Sequence, residues 1–171
     1  MPTSSSKRSK SATSRSSSRR SREPDAIRML KEDHERVESL FEEFEKCESS
    51  REKHELATRI CEELRTHARL EETIVYPALR EAIDDEEMMN EALVEHETAK
   101  DLMAKIERAE PSDERFDALV KVLSEYVKHH VKEEEGEMFK QARKSDVDFD
   151  ALGERMLELK GANGGETRHD D

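Results

Sequence analysis

Two short stretches decide how the chain is read: HARLEE at residues 67–72 and HVKEEE at residues 130–135. Each opens on a histidine with a glutamate four positions on. Each is followed, nine residues after its histidine, by an aromatic ring: Tyr76 in one case, Phe139 in the other. On an α-helix, residues four apart share a face. His67 with Glu71, and His130 with Glu134, therefore each stack an imidazole beside a carboxylate if the local structure is helical.

The flanking sequence says that it is. Ile60, Leu64, His67, Glu71, Ile74 and Ala78 continue one helical stripe, and Leu119, Leu123, Tyr126, His130, Glu134 and Met138 form another. Two more stripes carry a single histidine each: Ile27, Leu30, His34, Val37, Phe41 and Phe44, then Met89, Ala92, His96, Ala99, Met103 and Ile106. Pro24 is expected in the first helical turn of the chain. Ser49 with Glu52 offers a capping box, Asp84 and Asp85 suit a helix start, and Pro111-Ser112-Asp113 breaks and recaps the chain. Pro77 is expected to kink the second helix or end its regular part. A shorter amphipathic piece carries Phe149, Leu152, Met156 and Leu159. Short connections between sequential helices give antiparallel neighbours. The expected fold is all-α: an up-down-up-down four-helix bundle with a short C-terminal fifth helix. His34 to His67 is 33 positions and His96 to His130 is 34, so the first helix pair echoes the second.

Composition agrees with that architecture. Of 171 residues, 43% are charged, 33% hydrophobic and 4% aromatic. So thin an apolar supply suits narrow helical seams rather than a sandwich or barrel. No apolar run approaches membrane-spanning length and no secretory apolar segment is seen. With that, two cysteines, Cys47 and Cys61, read as reduced thiols, and the expected compartment is cytoplasmic. The net charge of −13 is unevenly spread: residues 1–23 carry seven basic side chains and one acid, a net +6 that leaves −19 for the rest. This Ser/Arg-rich stretch cannot bury itself and is expected to be a disordered tail, with at most weak contact to nucleic acid. The expected organisation is a tail over 1–23, the bundle over 24–142, a C-terminal helix over 143–160 and a flexible end over 161–171.

The inward polar residues point to metal. Four helices each place one histidine where an apolar stripe should continue, and two add a carboxylate one turn later. Buried carboxylates are very costly unless paired. Two divalent or trivalent ions would satisfy all six groups, and imidazole with carboxylate suits iron, manganese or zinc. His129 with Glu133 has the same spacing as His130 with Glu134. The latter is preferred because it continues the stripe through Leu123 and Tyr126. Glu72 and Glu135 turn away from the seams, to the surface or to a supporting layer. His54 is expected to face solvent. Tyr126 is expected in the core, with its hydroxyl within reach of the metal pocket.

The segments EDHERVESLFEEFE, HARLEETIVYPALREAI, VEHETAKDLM and HHVKEEEGEMF resemble the hemerythrin-like, or HHE cation-binding, family across residues 25–142. The resemblance implies a non-haem centre of two iron ions with an oxo-type bridge. By matching position, its ligands are His34, His67, Glu71, His96, His130 and Glu134, the two glutamates bridging. Oxygen-carrying members have a further histidine where this chain has Lys100. The four-histidine, two-glutamate set is more similar to di-iron proteins of iron–sulfur cluster repair, which carry a cysteine-bearing N-terminal domain in place of this basic segment. The expected function is a di-iron protein that binds or senses oxygen, nitric oxide or peroxide. The alternatives are a di-iron redox enzyme, iron storage or donation, and a structural helical interaction module.

Overall fold

A computed structural model describes residues 24–163; the segments 1–23 and 164–171, including the basic stretch, lie outside the described residues. Among the described residues the chain is helical throughout and contains no strand. The helices are α1 (Ala26–Lys46), α2 (Ser50–Leu70), α3 (Tyr76–Ala82), α4 (Glu86–Arg108), α5 (Phe116–Glu133), α6 (Phe139–Ala142) and α7 (Phe149–Asn163). A π-helical turn, Glu71–Val75, joins α2 to α3, and a second, Glu134–Met138, joins α5 to α6. The bundle thus has four rods: α1, α2 continued by α3, α4, and α5 continued by α6. In cross-section α1 neighbours α2 and α5, and α4 neighbours the same two.

Local sequence sets the rod ends. Asp25 caps α1, its side chain accepting from the Arg28 N–H at 2.9 Å, so Pro24 lies one residue outside the helix rather than in its first turn. The carboxylate cap fixes the boundary because its oxygen satisfies a free first-turn donor. Ser49 caps α2 by accepting from the Glu52 N–H, and Asp85 caps α4 by accepting from the Met88 N–H. The Glu52 carboxylate faces the Cys47 thiol at 3.4 Å rather than closing a capping box.

Pro77 neither ends nor breaks the second rod. It sits at the start of α3, just after the π turn, and the helix continues past it. Here the Tyr76 N–H bonds five residues back to the Glu71 carbonyl. The extra residue in the turn moves the buried face on by one position: Leu79 is fully buried where straight α-helical spacing selects Ala78, which is half-buried. Single π turns inside α-helices are frequent at functional sites, and here each begins on one of the two inward glutamates.

Two apolar clusters fill the bundle. One gathers Leu30, Leu70, Leu79, Met89, Met138, Phe139 and Met156; the other gathers Val37, Phe41, Ile60, Leu64, Met103, Phe116 and Leu123. The buried histidines and glutamates lie in the layer between them, as the order Leu30, His34, Val37 along α1 shows. No helix among the described residues is long and apolar enough to cross a membrane.

Candidate metal centre

The six inward residues meet in that middle layer. His34, His67, His96, His130, Glu71 and Glu134 are all buried, Glu71 at 0% exposure and Glu134 at 2%. They form two groups that share Glu71: His34, His67, Glu71 and Glu134 in one, Glu71, His96 and His130 in the other. His34 Nε2 lies 3.0 Å from His67 Nε2, and His96 Nε2 lies 3.2 Å from His130 Nε2. Glu71 spans the groups, with Oε1 3.0 Å from His67 Nε2 and Oε2 3.2 Å from His96 Nε2. Glu134 Oε2 lies 3.4 Å from His34 Nε2 and 4.0 Å from His130 Nε2. The competing pair stays outside: His129 is 59% and Glu133 48% exposed in their side chains.

The outer faces of the imidazoles explain why these atoms converge. His34 Nδ1 is 2.8 Å from Glu135, His96 Nδ1 is 2.9 Å from Glu72 and His130 Nδ1 is 2.7 Å from Glu95. His67 Nδ1 faces Asp33 at 3.6 Å, an ion-pair contact beyond hydrogen-bond range. A carboxylate at Nδ1 makes that nitrogen the proton donor and turns the Nε2 lone pair inward. The centre therefore presents four imidazole lone pairs and the carboxylate oxygens of two glutamates to one another. Both oxygens of Glu71, and Oε2 of Glu134, are buried without a hydrogen-bond partner. Buried acceptors facing acceptors need cations between them, either protons or metal ions.

The electrostatics carry the same message. Burial opposes a charged His67, yet Glu71, Asp33 and Glu134 surround it and hold its proton up to about 10. Burial raises Glu71, but His67 and His96 bring its carboxyl well below the usual range. Burial and the neighbouring Glu71 charge push Glu134 the other way, upward. In the metal-free chain protons take the place of cations between these groups. The donor set, imidazole nitrogen with carboxylate oxygen and no thiolate, fits iron, manganese or zinc.

Three residues at the centre were not read from the sequence as belonging to it. Asp33 is 4% exposed, and its proximity to His67 and to Lys160 brings its carboxyl down to about 2 against the effect of burial. Glu95 supports His130. Tyr76 donates its hydroxyl to Glu134 Oε1 at 3.1 Å and lies 3.5 Å from His96 Nε2. The tyrosine expected near the pocket, Tyr126, is instead 44% exposed, at the rim of a cavity rather than in the core. Its helix face is tilted outward, and Ser124 with Leu123 takes the inner positions. The signal for Asp33 and Glu95 was present as a repeat: an acid precedes His34 and His96 alike, just as an acid follows both Glu71 and Glu134.

A small cavity of about 40 Å3 opens on the side of the second apolar cluster. All four histidines line it, with Val37, Leu64, Met103, Val127 and Val131. On the opposite side the centre is closed by rings, His34 stacking on Phe139 and His96 on Tyr76.

A helical bundle with two imidazole–carboxylate groups in its dry middle layer defines a metal-ion-binding protein. The model of the hemerythrin HHE cation binding domain matches residues 25–142, and the chain belongs to that family. The chain is similar to a DNA nickase of Nostoc sp. (strain PCC 7120), with 31% identity over 115 residues, 67% of this chain and 32% of that protein. It thus spans about a third of that relative's length. The crystal structure of an HHE cation binding domain-containing protein from Mycobacterium kansasii, a homologue of Rv2633c, shares the fold. Its TM-score is 0.70 at 24% identity, covering 82% of this chain and 88% of that one.

Proposed function

We propose that the chain is a non-haem di-iron protein that binds a small oxidant, of the class of dioxygen, nitric oxide or peroxide, beside its metal centre. His34 and His67 would hold one iron and His96 and His130 the other, with Glu71 and Glu134 spanning them. The observation that carries the reading is the cavity of about 40 Å3, lined by all four of those histidines, by a wall of apolar side chains that includes Val37, Leu64, Met103 and Val127, and by Asp33, Glu95, Lys100 and Tyr126. A space of that size has room for a molecule of two or three atoms. Bound iron would supply open coordination positions and reversible redox chemistry at that point.

The protein's own residues define the rest. Glu135, Glu72 and Glu95 hold three of the rings by hydrogen bonds at Nδ1, with their lone pairs inward, and Asp33 faces Nδ1 of the fourth, His67, at 3.6 Å. Val37, Leu64, Val127 and Val131 give the cavity an apolar wall. Tyr76 offers a hydroxyl proton to Glu134 on the closed side, and burial with the Glu134 charge keeps that phenol protonated well above its ordinary range.

The test is elemental analysis of natively purified protein, with optical spectra before and after reduction and on addition of nitric oxide. The expected result is about two irons per chain and an absorption that responds to nitric oxide, both lost in His67→Ala. A chain that carries no iron, refuses it on reconstitution and melts identically with its inward histidines replaced overturns the reading.

A further inference from the structure

Helix α7 lies beyond residues 25–142, where the family match ends. It is nevertheless built into the bundle. Phe149, Leu152 and Met156 are buried in the first apolar cluster, and the helix packs on α1 and on the first π turn. Its C-terminal part brings Lys160 to the back of the metal centre. Lys160 Nζ lies 2.9 Å from Asp33 Oδ1 and 2.8 Å from Oδ2, and Oδ2 is the oxygen that faces His67 Nδ1.

The other outer carboxylates are held from within the four rods. Lys31 on α1 pairs with Glu135 at 3.0 Å, and Lys100 on α4 pairs with Glu72 at 2.6 Å. Glu95 faces the exposed His129 of α5. Asp33 also meets Arg36 of its own helix, but that guanidinium contacts Oδ1, is shared with Glu63 and is 45% exposed against 29% for Lys160. Lys160 is thus the better shielded cation and the one on the oxygen next to His67. Screening by water weakens the arginine's contact more.

We propose that Lys160 is a positioning residue of the metal centre: from α7 it fixes Asp33 against His67 and so sets the affinity of the ion held by His34 and His67. This rests on the metal-binding reading above. Partners that orient a ligating histidine typically matter by roughly 10- to 100-fold in metal affinity. Among the described residues α7 supplies no such cation to Glu72 or Glu95, the carboxylates behind His96 and His130, so the effect falls on one ion of the two.

Full-length wild type, Lys160→Met, Lys160→Arg and Lys144→Met are titrated anaerobically with ferrous iron against a competing chelator, and the metal-free forms are melted. Lys144 is an exposed lysine of the connection between α6 and α7 and makes no ion pair with Asp33. The expected result is two irons in every form, with one of the two bound more weakly in Lys160→Met, by up to about 10-fold, the low end for a direct partner of a ligating histidine. Lys160→Arg restores it and Lys144→Met matches wild type. Wild-type affinity for both ions in Lys160→Met overturns the proposal alone, as does an arginine variant as weak as the methionine one. Equal weakening of both ions, with a lowered melting temperature of the metal-free chain, makes Lys160 a structural contact and overturns it too. A wild type that binds no iron overturns the functional reading, and this proposal with it.

Discussion

Glu134 and Glu135 are neighbours in the chain and act on opposite faces of the same imidazole: Glu134 Oε2 is 3.4 Å from His34 Nε2, and Glu135 Oε1 is 2.8 Å from His34 Nδ1. The first lies inside the centre and the second holds the ring from behind. Their substitutions therefore differ in kind. Glu134→Ala removes a spanning carboxylate, and one of the two metal ions is expected to be lost. Glu135→Ala leaves both sites but frees the ring, weakening binding by roughly 10- to 100-fold. Metal stoichiometry and chelator competition read both outcomes. Retention of two tightly held ions in Glu134→Ala contradicts the assignment.

The metal-free protein has a pH dependence set by His67. Its proton is held up to about 10 in the folded chain, against an ordinary 6.5. A raised value means that the stabilisation is complete below about 6.5 and is lost as pH climbs through about 10. Asp33 acts in the opposite sense: its value, lowered from 3.8 to about 2, contributes above 3.8 and is lost as pH falls through about 2. Melting temperatures of the metal-free chain should fall between neutral pH and pH 10. Metal in place of the proton should flatten that slope, so loaded and metal-free curves diverge as pH rises.

Gly153 on α7 is where two backbones nearly touch: a Cβ there would lie 2.0 Å from the Pro24 carbonyl oxygen. Helix propensity alone makes alanine better than glycine by about 1 kcal/mol. The clash reverses the sign. Gly153→Ala is expected to destabilise by roughly 1–3 kcal/mol, as overpacking does, measured by urea unfolding. A stabilised variant would mean that α7 does not sit this close to the start of α1.

The two thiols should react unequally. Burial pushes the Cys61 thiol up to about 12, while Cys47 is half-buried at the turn between α1 and α2. The thiolate is the nucleophile, so iodoacetamide at neutral pH should modify Cys47 in the folded chain and reach Cys61 only on unfolding. Mass spectrometry of the alkylated protein decides it.

The histidine spacings carried most of this architecture, because each inward imidazole interrupts an apolar stripe of otherwise regular period. Leu30, His34 and Val37, or Ala92, His96 and Met103, are buried as that period requires. The π turns were not legible in this way. An inserted residue changes the period only over one turn, and the sequence around Glu71 reads equally well as a straight helix until Leu79 is found buried beside a half-buried Ala78. The same shift brings Tyr76 against Glu134, whereas Tyr126 lies on an unshifted segment and faces out. Asp33 and Glu95 were hidden for a different reason. In a chain that is 43% charged, one more acid beside a histidine does not stand out. Only the recurrence of the pair on α1 and α4 marks it.

The outer carboxylates have a direction. Asp33 of α1 reaches the histidine of α2, Glu72 after α2 reaches that of α4, Glu95 of α4 reaches that of α5, and Glu135 after α5 returns to that of α1. Each rod steadies the imidazole of the next, and the circuit closes on itself. Turning any one rod about its axis would withdraw its own nitrogen and let go of its neighbour's at the same moment. Leucine and isoleucine seams tolerate slippage; this interlock does not, and it gives the four rods a single mutual register that oily contacts alone would leave open.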